Sequence, residues 1–146
     1  MQCRIRVEVP LKATEDPDII LSLIEKIIVP ERVYVEEAGT EKVVIAEASS
    51  LSSLLKLHSM LRRERILDAA RKRLKAGVRG NTIVFMLHKQ ALAAGRLSLV
   101  DEPSESPLGP VTVVIEHPRP QEVIDWLVPP TSRGKPLWER SMPSDK

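Results

Sequence analysis

Residues 51–76 read LSSLLKLHSMLRRERILDAARKRLKA. No Pro or Gly interrupts them, and Leu, Ala, Arg, Lys and Glu, all strong helix formers, dominate. At 3.6 residues per turn, Leu57, Met60, Leu61, Leu67, Ala70 and Leu74 share one face. Arg62, Arg65, Lys72 and Arg73 fall on or near the opposite face, with Asp68 and Lys75 along its edge. Between Lys56 and Lys75 there are eight basic and two acidic residues, a local net of +6. The whole chain nets only +2, so the charge is concentrated on this segment. A basic stripe of this kind suits phosphates; the plainer reading is a solvated helix face whose Lys and Arg stems cover apolar neighbours. Glu64 and Arg71 point toward the apolar side, so each needs a partner from elsewhere in the fold. An unbroken helix here would be ~39 Å long, and Ser59, able to cap a new start, marks His58-Ser59 as the expected break into two helices.

On either side of this segment, short strands and helices alternate. Gln2 to Val9 alternates, with Cys3, Ile5, Val7 and Val9 on one side and Arg4, Arg6 and Glu8 on the other: a half-buried strand. Thr14 or Asp16 caps a helix carrying Ile19, Ile20, Leu23, Ile24, Ile27 and Ile28, ended by Pro30. Arg32 to Glu37 and Glu41 to Glu47 flank Ala38-Gly39-Thr40 as a hairpin. After Gly77, a C-terminal cap, Gly80-Asn81 turns into a strand over Thr82 to His88 that is apolar on both faces. Then come a short helix (Lys89 to Ala94), a short strand (Leu97 to Val100), a Pro-containing loop, a strand (Pro110 to Glu116) and a last helix (Gln121 to Leu127) stopped by Pro129-Pro130. The coarse order β-α-β-β-α-α-β-α-β-β-α predicts an α+β fold, a two-layer α/β sandwich with a mixed, largely antiparallel sheet. Residues 1–128 form the single domain, and 129–146 an extended tail packing on or leaving it. Helices cover one face of the sheet. Val44, Val84, Met86 and Val114 are expected on the other, and an apolar patch there implies a cover, most simply a second copy of the chain.

Composition narrows the function classes. The chain has 146 residues, 29% of them charged and 42% hydrophobic, the balance of one soluble domain. No apolar run approaches a membrane span and no signal-peptide core precedes the first strand. Cys3 is the lone cysteine, so no internal disulfide forms, which fits the cytoplasm. His58, His88 and His117 show no metal-ligand spacing, and no metal or cofactor is expected. No nucleophile elbow or triad is present, and no catalytic residue is assigned. Gly134-Lys135 resembles the end of a phosphate loop, but Pro136 follows where Ser or Thr is required. Gly77-Val78-Arg79-Gly80 has the spacing of an RNA-backbone clamp, but it joins a helix to a strand, so a cap and a turn explain it. Only Tyr34, Phe85, Trp126 and Trp138 are aromatic, too few for base stacking on a sheet, so any RNA contact falls on the backbone. A polar set, Glu64, Asp68, Arg71, Asn81, Lys89, Gln90, Asp125 and Thr131, recurs near element ends and reads first as a structural network.

LRRERILDAARKRL (61–74), GNTIVFMLHKQAL (80–92), SPLGPVTVVIE (106–116) and IDWLVPPTSRGKPLWE (124–139), in this order and spacing, resemble an archaeal family of uncharacterised proteins often described as RNA-binding. The resemblance implies a two-layer fold like that of the large-subunit ribosomal protein that binds five-S RNA, a homodimer, and a setting in translation or RNA processing. The leading expectation is a non-enzymatic protein that binds structured RNA through phosphate contacts at Arg62, Arg65, Lys72, Arg73, Lys75 and Arg79. One rival is a protein-interaction module that docks through the tail. Another is an enzyme for a small anionic metabolite using Glu64, Arg71, Lys89 and Asp125, which needs an open pocket holding all four.

Overall fold

A computed structural model describes residues 2–146 as an α+β two-layer structure. The strands of the main sheet are β1 (Arg4–Leu11), β2 (Arg32–Ala38), β3 (Glu41–Ala48), β4 (Val78–Arg79), β5 (Thr82–Leu87), β6 (Leu99–Val100) and β7 (Val111–Glu116). They order β2-β3-β1-β7-β5-β4, with β6 also on β5. Every pairing is antiparallel. The helices are α1 (Pro17–Ile24), α2 (Leu55–Arg63), α3 (Leu67–Ala76), α4 (Lys89–Ala93) and α5 (Pro120–Leu127). A small hairpin, β8 (Thr131–Ser132) with β9 (Lys135–Pro136), lies in the C-terminal segment.

The core sits between one sheet face and the helices. Ile5, Val7 and Val9 pair across to Ala48, Ala46 and Val44. On the other side of β1, Ile5 and Val7 pair with Ile115 and Val113, which pair in turn with Ile83 and Phe85. All are buried against Ile20, Leu23, Leu57, Leu74 and Ile124 from the helices. Val44 is therefore on the helix face, not on the open face expected for it. The run Val43-Val44-Ile45-Ala46 is apolar throughout and carries no phase of its own; the register against Val9 supplies it. The open face keeps Val84, Met86 and Val114, half-buried, beside a lattice of Arg4–Glu116, Arg6–Glu8 and Arg32–Glu47 ion pairs.

The long helical segment breaks later than expected. Residues 51–54 form a 3-10 turn and α2 runs through His58 and Ser59 without interruption. It ends at Arg63, and the chain turns away at Arg65, a non-glycine residue in the left-handed region (φ 56°). The Ile66 N–H donates to the Leu61 carbonyl (3.4 Å) and the Arg65 N–H to that of Arg62 (3.1 Å). These are the two bonds of a Schellman end, with Ile66 and Leu61 as its apolar contact pair. With no glycine to mark it, this stop is invisible to residue-type signals.

The C-terminal segment packs on the domain. Asp145 is bound twice: its carboxylate accepts from the Leu51 N–H (2.8 Å) and its carbonyl from the Cys3 N–H (3.1 Å). Buried His117 donates from Nε2 to the Ser144 carbonyl (2.8 Å) while its Nδ1 accepts from the Arg119 N–H (2.9 Å). Burial, with the Asp145 charge adding to it, raises the Cys3 thiol pKa to about 11, so it is an inert core residue.

Candidate nucleic-acid interface

α3 buries Leu67, Ala70 and Leu74 at spacings of three and four. Asp68, Lys72 and Lys75 consequently line up on the outer side, exposed. Asp68 lies in the first turn and Lys75 in the last, each at the helix end its charge favours. Gly77 then caps the helix so close to β5 that a Cβ there would collide with the Val84 carbonyl oxygen, and the Val84 N–H donates to the Gly77 carbonyl (3.0 Å). This contact folds the chain from α3 into the β4–β5 hairpin, whose turn uses Gly80 at φ 60°. Arg79, exposed at that turn, reaches back to donate to the Ala76 and Val78 carbonyls (3.2 and 2.8 Å). Its charge thus sits at the C-terminal end of α3 without an ion-pair partner among the described residues.

The six expected phosphate contacts divide into two groups. Arg65, Lys72, Lys75 and Arg79 are exposed and have no ion-pair partner among the described residues. Arg62 and Arg73 are engaged within the protein. Arg62 donates to Glu139 (2.7 Å) and to the carbonyls of His58, Trp126 and Leu127. Its hydrogen bond and charge hold the Glu139 carboxyl below its ordinary range. Arg73 pairs with Asp101 (2.8 Å). Beside Arg73 and Arg79, Val84, Met86, Val100 and Thr112 line a groove of about 280 Å³ onto the open sheet face. Phe85 also borders the groove, but its side chain is buried with the core; Trp126 is buried as well, and His58 stacks on it at 5.1 Å.

The polar set does not assemble into one network. Arg71 pairs with Asp125 (3.0 Å), donates to the Val128 carbonyl (3.0 Å) and faces the Trp138 ring at 6.0 Å, which ties α3 to α5 and the tail. Glu64 accepts from the Leu97 N–H (3.2 Å), so both charges on the apolar side of the helix have partners. Asn81 offers its carbonyl to the His117 N–H (2.9 Å), Thr131 lies in β8, and Asp68 and Gln90 are exposed. Lys89 stands apart with Glu15 (3.0 Å), a partner the sequence did not reveal, and with the carbonyls of Pro10 and Leu108 (2.7 and 2.6 Å). Burial lowers the Lys89 pKa while Glu15 pulls the other way. Among the described residues, the main surface pockets do not gather Glu64, Arg71, Lys89 and Asp125 together: Asp125 lines one with Glu122 and Arg140, and the other three line none of them. Among the described residues no three His, Cys, Asp or Glu side chains converge as a metal site, and no helix is long and apolar enough to cross a membrane.

Fold and surface together define a class: an antiparallel sheet with one open face, backed by helices, one of which turns un-neutralised cations outward. The chain belongs to the family described as RNA binding, whose model matches residues 4–117. More particularly, it is similar to the archaeal UPF0201 proteins. That of Aeropyrum pernix is 49% identical over 96% of this chain and 94% of its own length, and that of Sulfolobus acidocaldarius 48% identical over 98% and 99%. The crystal structure of a UPF0201 protein from Methanococcus jannaschii superposes with a TM-score of 0.78 at 25% identity, covering 92% of this chain and 98% of that one. A DUF54 protein from Methanothermobacter thermautotrophicus shares the fold alone, with a TM-score of 0.57 at 13% identity over 77% of this chain and 82% of that one.

Proposed function

We propose that this protein binds structured RNA by its sugar-phosphate backbone, through Arg65, Lys72, Lys75 and Arg79. The observation that carries this reading is that Lys72 and Lys75 on the outer face of α3, Arg65 just before it and Arg79 just after it are exposed and form no ion pair among the described residues, although Asp68 shares that outer face. The family description supports the polyanion as RNA. The scarcity of exposed rings supports contact with phosphates rather than stacking on bases. Arg62 and Arg73 act indirectly, holding the tail and the 101–105 turn around the helix.

The test is fluorescence-anisotropy titration of a panel of folded RNAs across a salt series. Each lost phosphate contact lowers the log–log salt slope by about 0.9. The double variant Lys72→Gln/Lys75→Gln is expected to flatten the slope by nearly twice that and to weaken every RNA in the panel alike. Unchanged affinity and slope in this variant would sink the reading.

A further inference from the structure

A second groove, of about 630 Å³, opens on the helical layer where the end of α1, the outer side of α2 and Gly95 after α4 meet. α2 buries Leu57 and Leu61, so Lys56, Ser59 and Arg63, spaced three and four apart, fall together along the groove. Lys56 fixes its width: the ammonium group donates to the Glu25 carbonyl at the end of α1 (2.9 Å) and ties the two helices together. Lys26 adds a cation from the α1 side. Neither Lys26, Lys56 nor Arg63 makes an ion pair among the described residues, and Glu25 is the one acid among those that line the groove. Between the charges the lining is apolar, with Leu55 50% exposed beside the buried Met60. The chain then runs from Arg63 to Arg65 and on into α3. Glu64 between them is drawn away to accept from the Leu97 N–H (3.2 Å), and both arginines stay exposed.

We infer that this groove binds a single-stranded segment of the RNA whose folded part lies on α3. The inference rests on the function proposed above and extends it to the class of RNA recognised. The groove has the size of sites that enclose a nucleotide-sized ligand. Lys56 and Arg63 stand ~10 Å apart along the helix axis, farther than one phosphate group reaches. A lone anion would engage one of them, whereas a strand sets successive phosphates against both. The apolar lining separates an unpaired strand from a duplex. A duplex offers phosphates and sugar hydroxyls at its surface and keeps its base faces stacked inside, which would leave Leu55 uncovered. An unpaired nucleotide is free to turn its ribose and base onto Leu55 and Met60. Every base has a face to offer, so the contact is tolerant of sequence. Arg65 carries the positive charge on from Arg63 to α3, which favours one RNA chain across both sites over an acidic peptide in the groove alone.

The experiment is fluorescence-anisotropy titration of the full chain with a stem-loop RNA and with the same stem-loop carrying a tail of about ten unpaired uridines at one end or the other. On wild type, a tail at one of the ends is expected to strengthen binding roughly tenfold or more. Lys26→Gln/Arg63→Gln should bring the tailed RNA down to the affinity of the tailless one, with an unchanged circular dichroism spectrum. It should also flatten the salt slope of the tailed RNA by about 1.4, for two single-strand contacts at about 0.7 each. Leu55→Glu, which sets an acid in the groove from an exposed position, serves if that variant does not fold. Lys72→Gln/Lys75→Gln should weaken tailed and tailless RNA alike, so the two sites are read separately. Indifference to that variant sinks the function proposed for α3, while the gain from the tail still decides the groove. A tail that adds nothing at either end overturns the inference, as does a gain that survives in the groove variant. So does equal weakening of the tailless stem-loop by the groove variant. Displacement of the tail by an oligoglutamate peptide as readily as by free oligouridine would give the groove to acidic protein segments instead.

Discussion

Lys89 and the outer face of α3 carry the same kind of charge and use it in opposite ways. The Lys89 side chain is 3% exposed and Glu15 13%. Two backbone carbonyls complete the set of acceptors around its ammonium group. Through them Lys89 joins the end of β1, the lead into α1 and the 106–109 loop. Lys72 and Lys75, by contrast, are exposed and make no ion pair among the described residues. Local charge density therefore does not say where a cation works. The partner decides, and the partner is distant in sequence: Glu15 is 74 residues from Lys89, and Glu139 is 77 from Arg62.

The buried end of this contrast gives the largest expected effect. Lys89→Ala leaves the Glu15 carboxylate without its cation and is expected to cost about 3–5 kcal/mol, the usual result of removing one member of a buried pair, read as a lowered urea midpoint. Arg62→Ala comes next. It removes charge-assisted bonds to Glu139 and to three carbonyls, and a loss of about 1.5–3 kcal/mol is expected, with faster hydrogen exchange in residues 137–146 as the tail loosens.

A smaller effect separates buried from exposed groups through pH. Burial, with the Arg62 charge beside it, lowers the His58 pKa. The folded state thus binds this proton less readily than the unfolded chain. Stability from His58 is complete above its unfolded pKa of about 6.5 and is lost as pH falls toward the lowered folded value. His58→Phe keeps a ring against Trp126 and removes the proton, so its melting temperature should vary less between about pH 7 and about pH 5.5 than that of wild type. The Glu139 carboxyl, also lowered, gives a separate loss at more acid pH. At the weak end, Lys72→Gln/Lys75→Gln should change stability by no more than about 0.5 kcal/mol while changing the salt dependence of RNA binding.

Alternation in Arg4 to Val9 and helical spacing in Leu67 to Leu74 were legible without coordinates, because period and face are properties of the local chain. So was the need for partners at Glu64 and Arg71, because a charge on an apolar face must be answered. The stop before Arg65 was not legible. Ser59 offered a cap by residue type, whereas the helix ends where Ile66 closes onto Leu61. Two of the six cations placed on the phosphate-binding side, Arg62 and Arg73, also passed for solvent-facing, since Glu139 and Asp101 reach them only after folding.

The order of elements, a greasy stripe along residues 57–74 and the concentration of positive charge on that segment were all set by the amino-acid order alone. They follow from side-chain periodicity and composition, which act over a few residues. Folding in three dimensions settled which face Val44 takes and which cations are neutralised. Each of those depends on register or on an ion pair between segments far apart along the chain, and no local pattern encodes such a contact.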